Sequence, residues 1–491
     1  MITYFVAFLF ALMVGAALTL VVRNRALVYG WVDQIKTSRK IHAKPIPRLG
    51  GVAIVLAFFA PLTALLVVDS SVGLIFRSNP NVVWGLFAGG AAIAVLGLYD
   101  DFRGAGALKK FTVQFAVAGF LYWLGFRVEQ IHLPFFGASI ALGYASLPFT
   151  LLWMVGVVNA MNLIDGLDGL AGGVAFFAIA TNFLLAFVRG EVLMSLMMAS
   201  LAGAVLGFLI FNFNPASIFM GDTGSMFLGF VLASVSIKTS QKAGAAVAML
   251  VPVIALGLPI MDTLLAMVRR AALGRPMFSA DKEHIHHRLM SRLVMSHRRA
   301  VLLLYGLCVL FALTALGMAF ANSAQAAMLL CGISVVVVVL MRKLGYLNLH
   351  EAGQVGQVRR RNVQLRALVK DVSERVAQAD GFEPIWLAVR PLAEALDASR
   401  LELKLNRQED GVLFETKRPA AGSALPLEVR VDLKDRDLNY GMLVLEWRDG
   451  RGEVNRDEEL ALELLSDAVA RAAASVLARA ADPLRVVSLR K

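Results

Sequence analysis

The chain has 491 residues, of which 58% are hydrophobic and 17% are charged, and its mean hydropathy is +0.67. A soluble globular protein carries about 25% charged residues, so these values exclude that class and also exclude intrinsic disorder. The two cysteines, Cys308 and Cys331, both lie in apolar runs, which excludes a disulfide scaffold and a cysteine-ligated zinc cluster. The composition indicates a protein that crosses a membrane many times.

The net charge of +12 is unevenly distributed along the chain. Residues 1–350 carry 25 Lys and Arg against 12 Asp and Glu, a net charge of +13, whereas residues 351–491 carry 23 against 24. Because the basic excess lies in the hydrophobic part, we interpret it as a signal of membrane topology rather than of nucleic-acid binding. We therefore predict a membrane domain over 1–342, a helical linker over 343–380 and a cytoplasmic domain over 381–491.

The membrane domain is predicted to be all-α and polytopic, with about eleven transmembrane helices. The apolar runs lie near 3–22, 51–68, 82–99, 111–126, 144–160, 170–188, 193–211, 224–237, 244–268, 300–320 and 325–341. The first run has no basic residue before Arg23, so we expect an uncleaved helix rather than a signal peptide. Lys and Arg concentrate in the odd-numbered loops, which predicts an external amino terminus and a cytoplasmic carboxyl-terminal domain.

The first cytoplasmic loop ends in Pro47-Arg48-Leu49-Gly50-Gly51. One interpretation of its basic residues is the positive-inside rule alone. The prolines and paired glycines indicate in addition a rigid turn at the membrane face, which suits the binding of an anionic head group. Arg48 is therefore a candidate for substrate binding.

Acidic residues are scarce in the membrane domain, and five of them fall in three short motifs on the predicted cytoplasmic side. These five are Asp100, Asp101, Asp165, Asp168 and Asp222. A charge at the bilayer centre costs roughly 2.5–3.5 kcal/mol, so carboxylates in a membrane protein need a reason. Their grouping on one face indicates a functional site.

The first motif is the adjacent pair Asp100-Asp101. Two neighbouring carboxylates repel each other, which suits a general base or a Mg²⁺ site. The alternative is a solvated helix end, with Lys109 and Lys110 close by.

The second motif repeats a polar side chain every third residue, at Asn159, Asn162, Asp165 and Asp168. Such residues are helix neighbours, and their oxygens could bind a hard cation, a sugar or a base. A polar contact between two helices is the alternative.

The third motif is Gly221-Asp222-Thr223-Gly224, just before an apolar run. Asp222 could hold Mg²⁺ against a diphosphate at the start of the following helix, or the motif could be a simple turn with a helix cap.

A cluster of histidines follows in the ninth loop, at His284, His286, His287 and the adjacent Arg288. We favour phosphate binding, because Arg presents fixed, forked donors and the chain has no cysteine ligands or His-Glu-x-x-His pattern. Zinc binding and a solvated basic loop stay open as alternatives.

These motifs, in this order, resemble the polyprenyl-phosphate N-acetylhexosamine-1-phosphate transferases over roughly residues 1–340. The matching patterns are Asp-Asp, Asn-x-x-Asn-x-x-Asp-Gly-x-Asp-Gly-Leu-Ala, Phe-x-Gly-Asp-x-Gly-Ser and His-Ile-His-His-Arg-Leu. The resemblance implies transfer of a sugar 1-phosphate from a UDP-sugar, GlcNAc by default, to undecaprenyl phosphate with release of UMP. It also implies Mg²⁺, with Mn²⁺ as an alternative, and a site on the cytoplasmic face of the bacterial inner membrane. The products would start envelope polysaccharides such as O-antigen.

The resemblance also implies roles for single residues. Asn162 and Asp222 would hold the metal, while Asp100 and Asp101 would deprotonate or orient the lipid phosphate, with Lys110 near that phosphate. Asp165 would support this centre or act as a nucleophile. The remaining substrate contacts would be Asp168 to uridine, His286, His287 and Arg288 to the diphosphate, and Asn159 and Arg48. Two departures from the family pattern stand out: Gly104 replaces a third Asp, and Ser217 replaces a frequent Lys or Arg.

The carboxyl-terminal domain is predicted to be α+β. Helices are expected over 358–379, 385–396 and 457–480, and strands over 401–405, 411–416, 427–433 and 440–447. This order resembles a GAF-type sensor module, so we expect the domain to regulate or tether the enzyme and to have its own ligand or partner. The sequence does not decide the oligomeric state, and a homodimer is one alternative.

The competing hypothesis for the whole chain is a multispan transporter or membrane sensor, which acids near the bilayer midplane would favour. We expect the lipid bilayer, and no nucleic acid, as a partner.

Overall fold

The computed structural model describes residues 1–32, 46–133, 138–241, 249–276, 283–346, 349–405, 412–418, 426–435, 438–452 and 454–480. The chain divides into two compact units. The membrane unit comprises Met1–Val268 and Phe278–Asn348, and the carboxyl-terminal unit comprises Arg269–Met277 and Leu349–Lys491.

The membrane unit is built almost entirely of helices. In chain order they are α1 (Ile2–Tyr29), α2 (Gly50–Val67), α3 (Ser71–Arg77), α4 (Pro80–Arg103), α5 (Ala107–Trp123), α6 (Ser146–Leu163), α7 (Leu170–Val188), α8 (Val192–Asn212), α9 (Gly221–Gln241), α10 (Leu250–Ala255), α11 (Gly257–Ala272), α12 (Ile285–Arg292), α13 (His297–Phe320) and α14 (Ser323–Lys343). A short antiparallel hairpin of β1 (Gln130–Leu133) and β2 (Ala138–Ala141) precedes α6. From Arg269 onward, α11 belongs to the carboxyl-terminal unit.

Eight helices of the described part are long and apolar enough to cross a membrane. They are Ile2–Tyr29, Gly50–Val67, Pro80–Arg103, Gly143–Leu163, Leu170–Val188, Val192–Asn212, His297–Phe320 and Ser323–Lys343. All eight coincide with predicted spans, which confirms the multispan class. The other predicted spans fall on α5, on α9 and on α10 with α11, where 244–248 lie outside the described residues. The count of eleven therefore stays a prediction.

Helix α9 lies inside the membrane unit and is buried along nearly its whole length. It packs against α2, α4, α6 and α7. Two buried hydroxyls in its second half bond to the helix backbone, since Ser234 Oγ donates to Phe230 O at 2.8 Å and Thr239 Oγ1 donates to Val235 O at 2.9 Å. A helix enclosed by other helices needs no apolar surface toward lipid, which explains its polar composition. Its amino-terminal end carries Asp222.

The carboxyl-terminal unit is α+β, as predicted. Its elements are α15 (Leu349–Ala377), α16 (Phe382–Val389), α17 (Leu392–Ala395), β3 (Arg400–Leu405), β4 (Val412–Lys417), β5 (Leu427–Asp435), β6 (Leu438–Trp447) and α18 (Arg456–Ala480). The strands form one antiparallel sheet in the order β4-β3-β6-β5. Leu401, Leu403 and Leu405 alternate toward the core, as the sequence period predicts. Helix α15, which overlaps the predicted linker, adds Val369 and Val372 to the same core.

Candidate active site

The carboxylate of Asp101, at the end of α4, holds the first turn of α9. Its Oδ1 accepts the N–H of Asp222 at 2.8 Å, and its Oδ2 accepts the N–H of Thr223 at 3.0 Å and the Thr223 hydroxyl at 2.6 Å. The first N–H groups of a helix have no partners inside the helix, so a carboxylate from a neighbouring helix caps them well. Asp101 thereby fixes the position of Asp222.

Helices α4 and α9 approach each other closely at Gly97. A Cβ atom added to Gly97 would lie 2.4 Å from the Cα of Thr223. Since real side chains do not tolerate such a distance to backbone, only glycine permits this packing. Gly97 is one turn before Asp101, so the approach sets the distance over which Asp101 reaches α9.

Lys110, in the first turn of α5, joins two of the predicted motifs. Its Nζ lies 2.6 Å from Asp222 Oδ2 and also contacts Asp100 Oδ2, while the other oxygen of Asp100 accepts the N–H of Ala105. The side chains of all three charged residues are at most 29% exposed. The Lys110 ammonium between Asp100 and Asp222 indicates that these carboxylates attract a positive charge to the site.

Asp165 lies in the turn between α6 and α7, outside the membrane-spanning helices. Its pKa is raised to about 7, first because its surroundings exclude water and then because Asp222 and Asp101 are negative, whereas the positive charge of Arg48 lowers it. These charges act on Asp165 because the first, second and third motifs converge at one place. The carboxyl can therefore change its ionisation near neutral pH.

The end of the first loop joins this centre through its backbone. The N–H groups of Gly50 and Gly51 donate to Phe219 O at 2.9 Å and Met220 O at 2.8 Å, and the N–H of Phe219 donates to Pro47 O at 2.7 Å. This pairing sets the exposed Arg48 beside the Gly-Asp motif. Its role as an anion contact stays a prediction.

The two amides of the second motif have different surroundings. Asn162 Nδ2 donates to Ser225 Oγ at 3.0 Å, which places this amide next to the first turn of α9. Asn159 Nδ2 donates to Gln114 Oε1 and to Val155 O, both at 2.7 Å. Asn159 therefore ties α6 to α5, and its role in substrate binding stays a prediction.

Asp168 is buried, with 3% of its surface exposed. Its Oδ2 accepts Nδ2 of Asn214 at 2.9 Å and the N–H of Ala216 at 3.1 Å, so it anchors the loop between α8 and α9. In the same loop, Ser217 Oγ lies 3.5 Å from Nη1 of Arg23 on α1. A basic side chain from another helix thus approaches the position where the family pattern has its own. The uridine contact predicted for Asp168 stays a prediction.

The histidine motif packs onto the same centre. The His286 ring lies where a Cβ on Gly166 would be, 2.5 Å from Nε2, and Gly166 follows Asp165 directly. Burial, then the neighbouring His287, lowers the pKa of His286 to about 3, so the imidazole is neutral at physiological pH. Its Nε2 is buried and has no hydrogen-bond partner among the described residues. His287 stands beside it, with ring centroids 4.2 Å apart.

Arg288 braces the far side of the motif. Its guanidinium pairs with Glu283, donates to Leu344 O at 3.1 Å and lies 4.0 Å from the ring centroid of Tyr346. The Tyr346 hydroxyl donates to Glu283 O at 2.7 Å. Arg288 thus has three neighbours in the protein, and its predicted diphosphate contact stays a prediction.

Several of these partners could not be predicted from the sequence. Thr223, Ser225 and Gln114 hold site residues from 45 to 122 positions away in the chain. Tyr346, just after α14, contacts Arg288. No local pattern marks such contacts. Thr223 and Ser225 were marked only as members of the Phe-x-Gly-Asp-x-Gly-Ser motif, without their partners.

The described residues contain no group of three or more His, Cys, Asp and Glu side chains that could hold a metal ion by themselves. The predicted ligands are the carboxylate of Asp222 and the amide of Asn162, which contacts Ser225 one turn further along α9. This fits Mg²⁺, which is usually held by one or two carboxylates together with water and substrate phosphates. The donor set is oxygen-rich and free of cysteine, which disfavours zinc.

Comparison with known proteins gives a family match over the carboxylate motifs. A model described as glycosyl transferase family 4 matches residues 83–240. A probable undecaprenyl-phosphate N-acetylglucosaminyl 1-phosphate transferase of Bacillus subtilis (strain 168) is 37% identical over 316 residues, which cover 64% of this chain and 85% of the relative. A decaprenyl-phosphate N-acetylglucosaminephosphotransferase of Mycolicibacterium smegmatis is 38% identical over 65% of this chain and 83% of the relative. A phospho-N-acetylmuramoyl-pentapeptide-transferase of Staphylococcus aureus is 32% identical over 50% and 77%.

Proposed function

The chain belongs to glycosyl transferase family 4, and we propose from this membership and from its site that it transfers N-acetylglucosamine 1-phosphate from UDP-GlcNAc to a polyprenyl phosphate. It is a multispan membrane enzyme. The relatives named for a polyprenyl-phosphate acceptor and for N-acetylglucosamine support this choice of substrates. The transporter or sensor hypothesis finds no support in them. Undecaprenyl phosphate is the acceptor we propose, as in the Bacillus relative.

The observation that carries this proposal is the meeting of three motifs at one centre. Asp100 and Asp222 are 122 positions apart, yet both contact the ammonium of Lys110. The negative charges of Asp222 and Asp101 contribute to the raised pKa of Asp165. A phosphoryl transfer between two anions needs positive charge held at a fixed place, and carboxylates that gather cations provide it.

The proposed transfer exchanges one phosphorus–oxygen bond for another and needs no reactant besides the two substrates. A phosphate oxygen of the lipid forms a bond to the β-phosphorus of UDP-GlcNAc, and the bond from that phosphorus to the bridging oxygen breaks. UMP leaves with the bond electrons, and a polyprenyl diphosphate sugar remains. Asp222 and Asn162 would hold Mg²⁺, or Mn²⁺ as the alternative, which neutralises charge on the diphosphate when bound.

The protein's own groups would orient the two substrates. Lys110, which contacts Asp100, would meet the lipid phosphate, and Arg48 would add a second positive charge next to the Gly-Asp motif. Neutral His286 can donate a hydrogen bond to a phosphate oxygen through its unpartnered Nε2. Asp101 keeps α9 in place. Asp165 would either support the centre or attack phosphorus itself; UMP released from UDP-GlcNAc without lipid would indicate the second route.

We also propose on which side of the membrane the reaction takes place. The basic residues around the site, such as Arg48, Arg103 and Lys110, support its location on the cytoplasmic face, with the amino terminus outside. The carboxyl-terminal unit would then be cytoplasmic and would regulate or tether the enzyme, as a GAF-like module does. The product would start an envelope polysaccharide such as O-antigen. That the enzyme forms a homodimer stays a prediction.

The direct test uses purified full-length protein in detergent or nanodiscs. UMP release is measured with undecaprenyl phosphate, Mg²⁺ and a panel of UDP-GlcNAc, UDP-GalNAc and UDP-glucose. We expect release from UDP-GlcNAc above the others. No UMP from any N-acetylhexosamine donor would overturn the proposal, and preference for UDP-GalNAc would change the sugar but not the reaction.

A further inference from the structure

One buried carboxylate outside the predicted motifs holds the start of the histidine motif. Asp262, on α11, is 2% exposed. Its Oδ2 lies 2.8 Å from Nδ1 of His284, and its Oδ1 accepts the N–H of Ile285 at 2.8 Å. The two oxygens therefore fix one side chain and one backbone group where α12 begins.

The arrangement also sets the tautomer of His284. Oδ1 already accepts the N–H of Ile285, and a hydrogen bond from His284 to Oδ2 requires the tautomer with the proton on Nδ1. The His284 ring is 6% exposed, and with its plane held by Asp262 it has little freedom to turn.

His284 in turn packs beside the imidazole that faces the active centre. The rings of His284 and His286 are parallel to within 2°, with centroids 5.7 Å apart. His286 is 2% exposed and rests on Gly166, and its Nε2 has no partner among the described residues. An unpartnered polar atom buried to this degree is costly unless a ligand completes it. The neighbours of the His286 ring are thus His284, Gly166 and the tilted ring of His287 at 4.2 Å.

We propose that Asp262 is a positioning residue for the nucleotide-sugar. It holds His284 and the first residues of α12 so that His286 presents Nε2 to the UDP diphosphate. This inference rests on the proposed function and adds to it a residue that touches no substrate. Because Asp262 acts through His286, its loss should affect binding of the UDP-sugar and leave binding of the lipid phosphate unchanged.

The principal variant is Asp262→Asn. An asparagine can still accept the N–H of Ile285 through its carbonyl, but its amide donates and would force the proton of His284 onto Nε2. The expected result is a rise of about 10-fold or more in the KM for UDP-GlcNAc, with the KM for undecaprenyl phosphate unchanged. The Kd for UDP-GlcNAc, measured by calorimetry with Mg²⁺, should rise by the same factor.

A second variant and a control separate positioning from general stability. His284→Phe keeps a ring beside His286 but removes the Nδ1 donor, and we expect the same selective rise in KM. Ser200→Ala removes another buried hydrogen bond, from Ser200 Oγ to Phe58 O at 2.7 Å, and should leave both KM values unchanged. Adding Asp262→Asn to His286→Ala should cause no further loss, because the path through His286 is already absent.

Three results would overturn the inference. The first is an unchanged KM and Kd for UDP-GlcNAc in Asp262→Asn. The second is an equal effect of Asp262→Asn with and without His286. The third is an equal rise for the lipid phosphate. If the wild-type chain released no UMP at all, the proposed function would fail, whereas the calorimetric Kd would still decide the role of Asp262.

Discussion

At the scale of single residues, Lys110 is the group on which the charge balance of the site depends. It contacts Asp100 and Asp222, and Asp222 also depends on Asp101 for its position. Removing the ammonium would leave two close carboxylates without a compensating charge and would remove a cation from the path of the lipid phosphate. The loss of Lys110 should therefore lower the rate of the chemical step and also weaken the binding of the lipid phosphate.

We predict that Lys110→Ala lowers kcat/KM for undecaprenyl phosphate by about 100-fold or more, because a fixed positive charge at a phosphoryl-transfer site is lost. The measurement is steady-state UMP release. Lys109→Ala is the matched control, since Lys109 lies over the Tyr99 ring and contacts none of the site carboxylates in the described structure. Equal losses in the two variants would mean that net surface charge, and not the contact with Asp100 and Asp222, matters.

Asp165 gives a prediction about pH. Its pKa is raised to about 7 in the folded chain, against about 3.9 for an unfolded Asp. Above about pH 4 the unfolded chain releases this proton while the folded chain keeps it, so stability decreases as pH rises and levels off above about 7. In EDTA, Asp165→Asn should therefore unfold at a higher temperature than wild type, by a margin that grows from pH 5.5 to pH 8. A margin independent of pH would contradict the raised pKa.

At the scale of elements, the site depends on how closely α4 and α9 pack. Gly97 allows the backbone of α9 to approach, and this approach lets Asp101 cap the turn that carries Asp222. A small shift between the two helices would separate Asp222 from its partners. Catalytic geometry is sensitive to such shifts even where the fold survives.

We predict that Gly97→Ala lowers kcat by about 10-fold or more, because the added Cβ would lie 2.4 Å from Thr223 Cα and must push α4 and α9 apart. Gly119→Ala, on α5, is the control, since a Cβ there meets nothing within 4 Å. Turnover is compared after both variants are shown to be monodisperse. Full activity in Gly97→Ala would contradict the dependence of the site on this contact.

The sequence predicted that the carboxylate motifs form one site, because acids are rare in an apolar chain and the loop charges assign these loops to the same side. Their location on the cytoplasmic side stays a prediction. The sequence also predicted the strands of the carboxyl-terminal unit from their alternation. It did not predict that Asp101 would cap α9, or that Asp262 would hold His284. These contacts join residues 22 to 122 positions apart, and no local period encodes them. Helix α9 lies on a predicted span but is not among the eight helices apolar enough to cross a membrane, because its surface faces protein.

At the scale of the whole molecule, the contacts that build the site belong to the membrane unit. The last of them is Tyr346, just before the carboxyl-terminal unit resumes at Leu349. We predict that a chain ending after residue 348 keeps its kcat/KM for UDP-GlcNAc within about 3-fold, because substitutions remote from a site are nearly independent of it. Ending the chain before Tyr346 should cost more, since Arg288 loses a neighbour.

The same shortened chain tests the role proposed for the carboxyl-terminal unit. If that unit regulates the enzyme, cells carrying the shortened chain should lose the adjustment of polysaccharide output to growth state while activity in vitro persists. Loss of activity in a well-folded shortened chain would place part of the site outside the membrane unit. An unchanged cellular response would end the regulatory proposal.

The most direct test of the central claim is UMP release by the purified full-length chain from UDP-GlcNAc and undecaprenyl phosphate with Mg²⁺, compared with Asp222→Asn. We expect the wild type to release one UMP for each lipid-linked sugar that it forms. In the variant, which keeps the shape of the side chain but removes its charge, we expect a loss of about 1,000-fold or more. Wild-type protein that forms no lipid-linked sugar, or Asp222→Asn protein that forms it at the wild-type rate, would contradict the proposed transfer at this site.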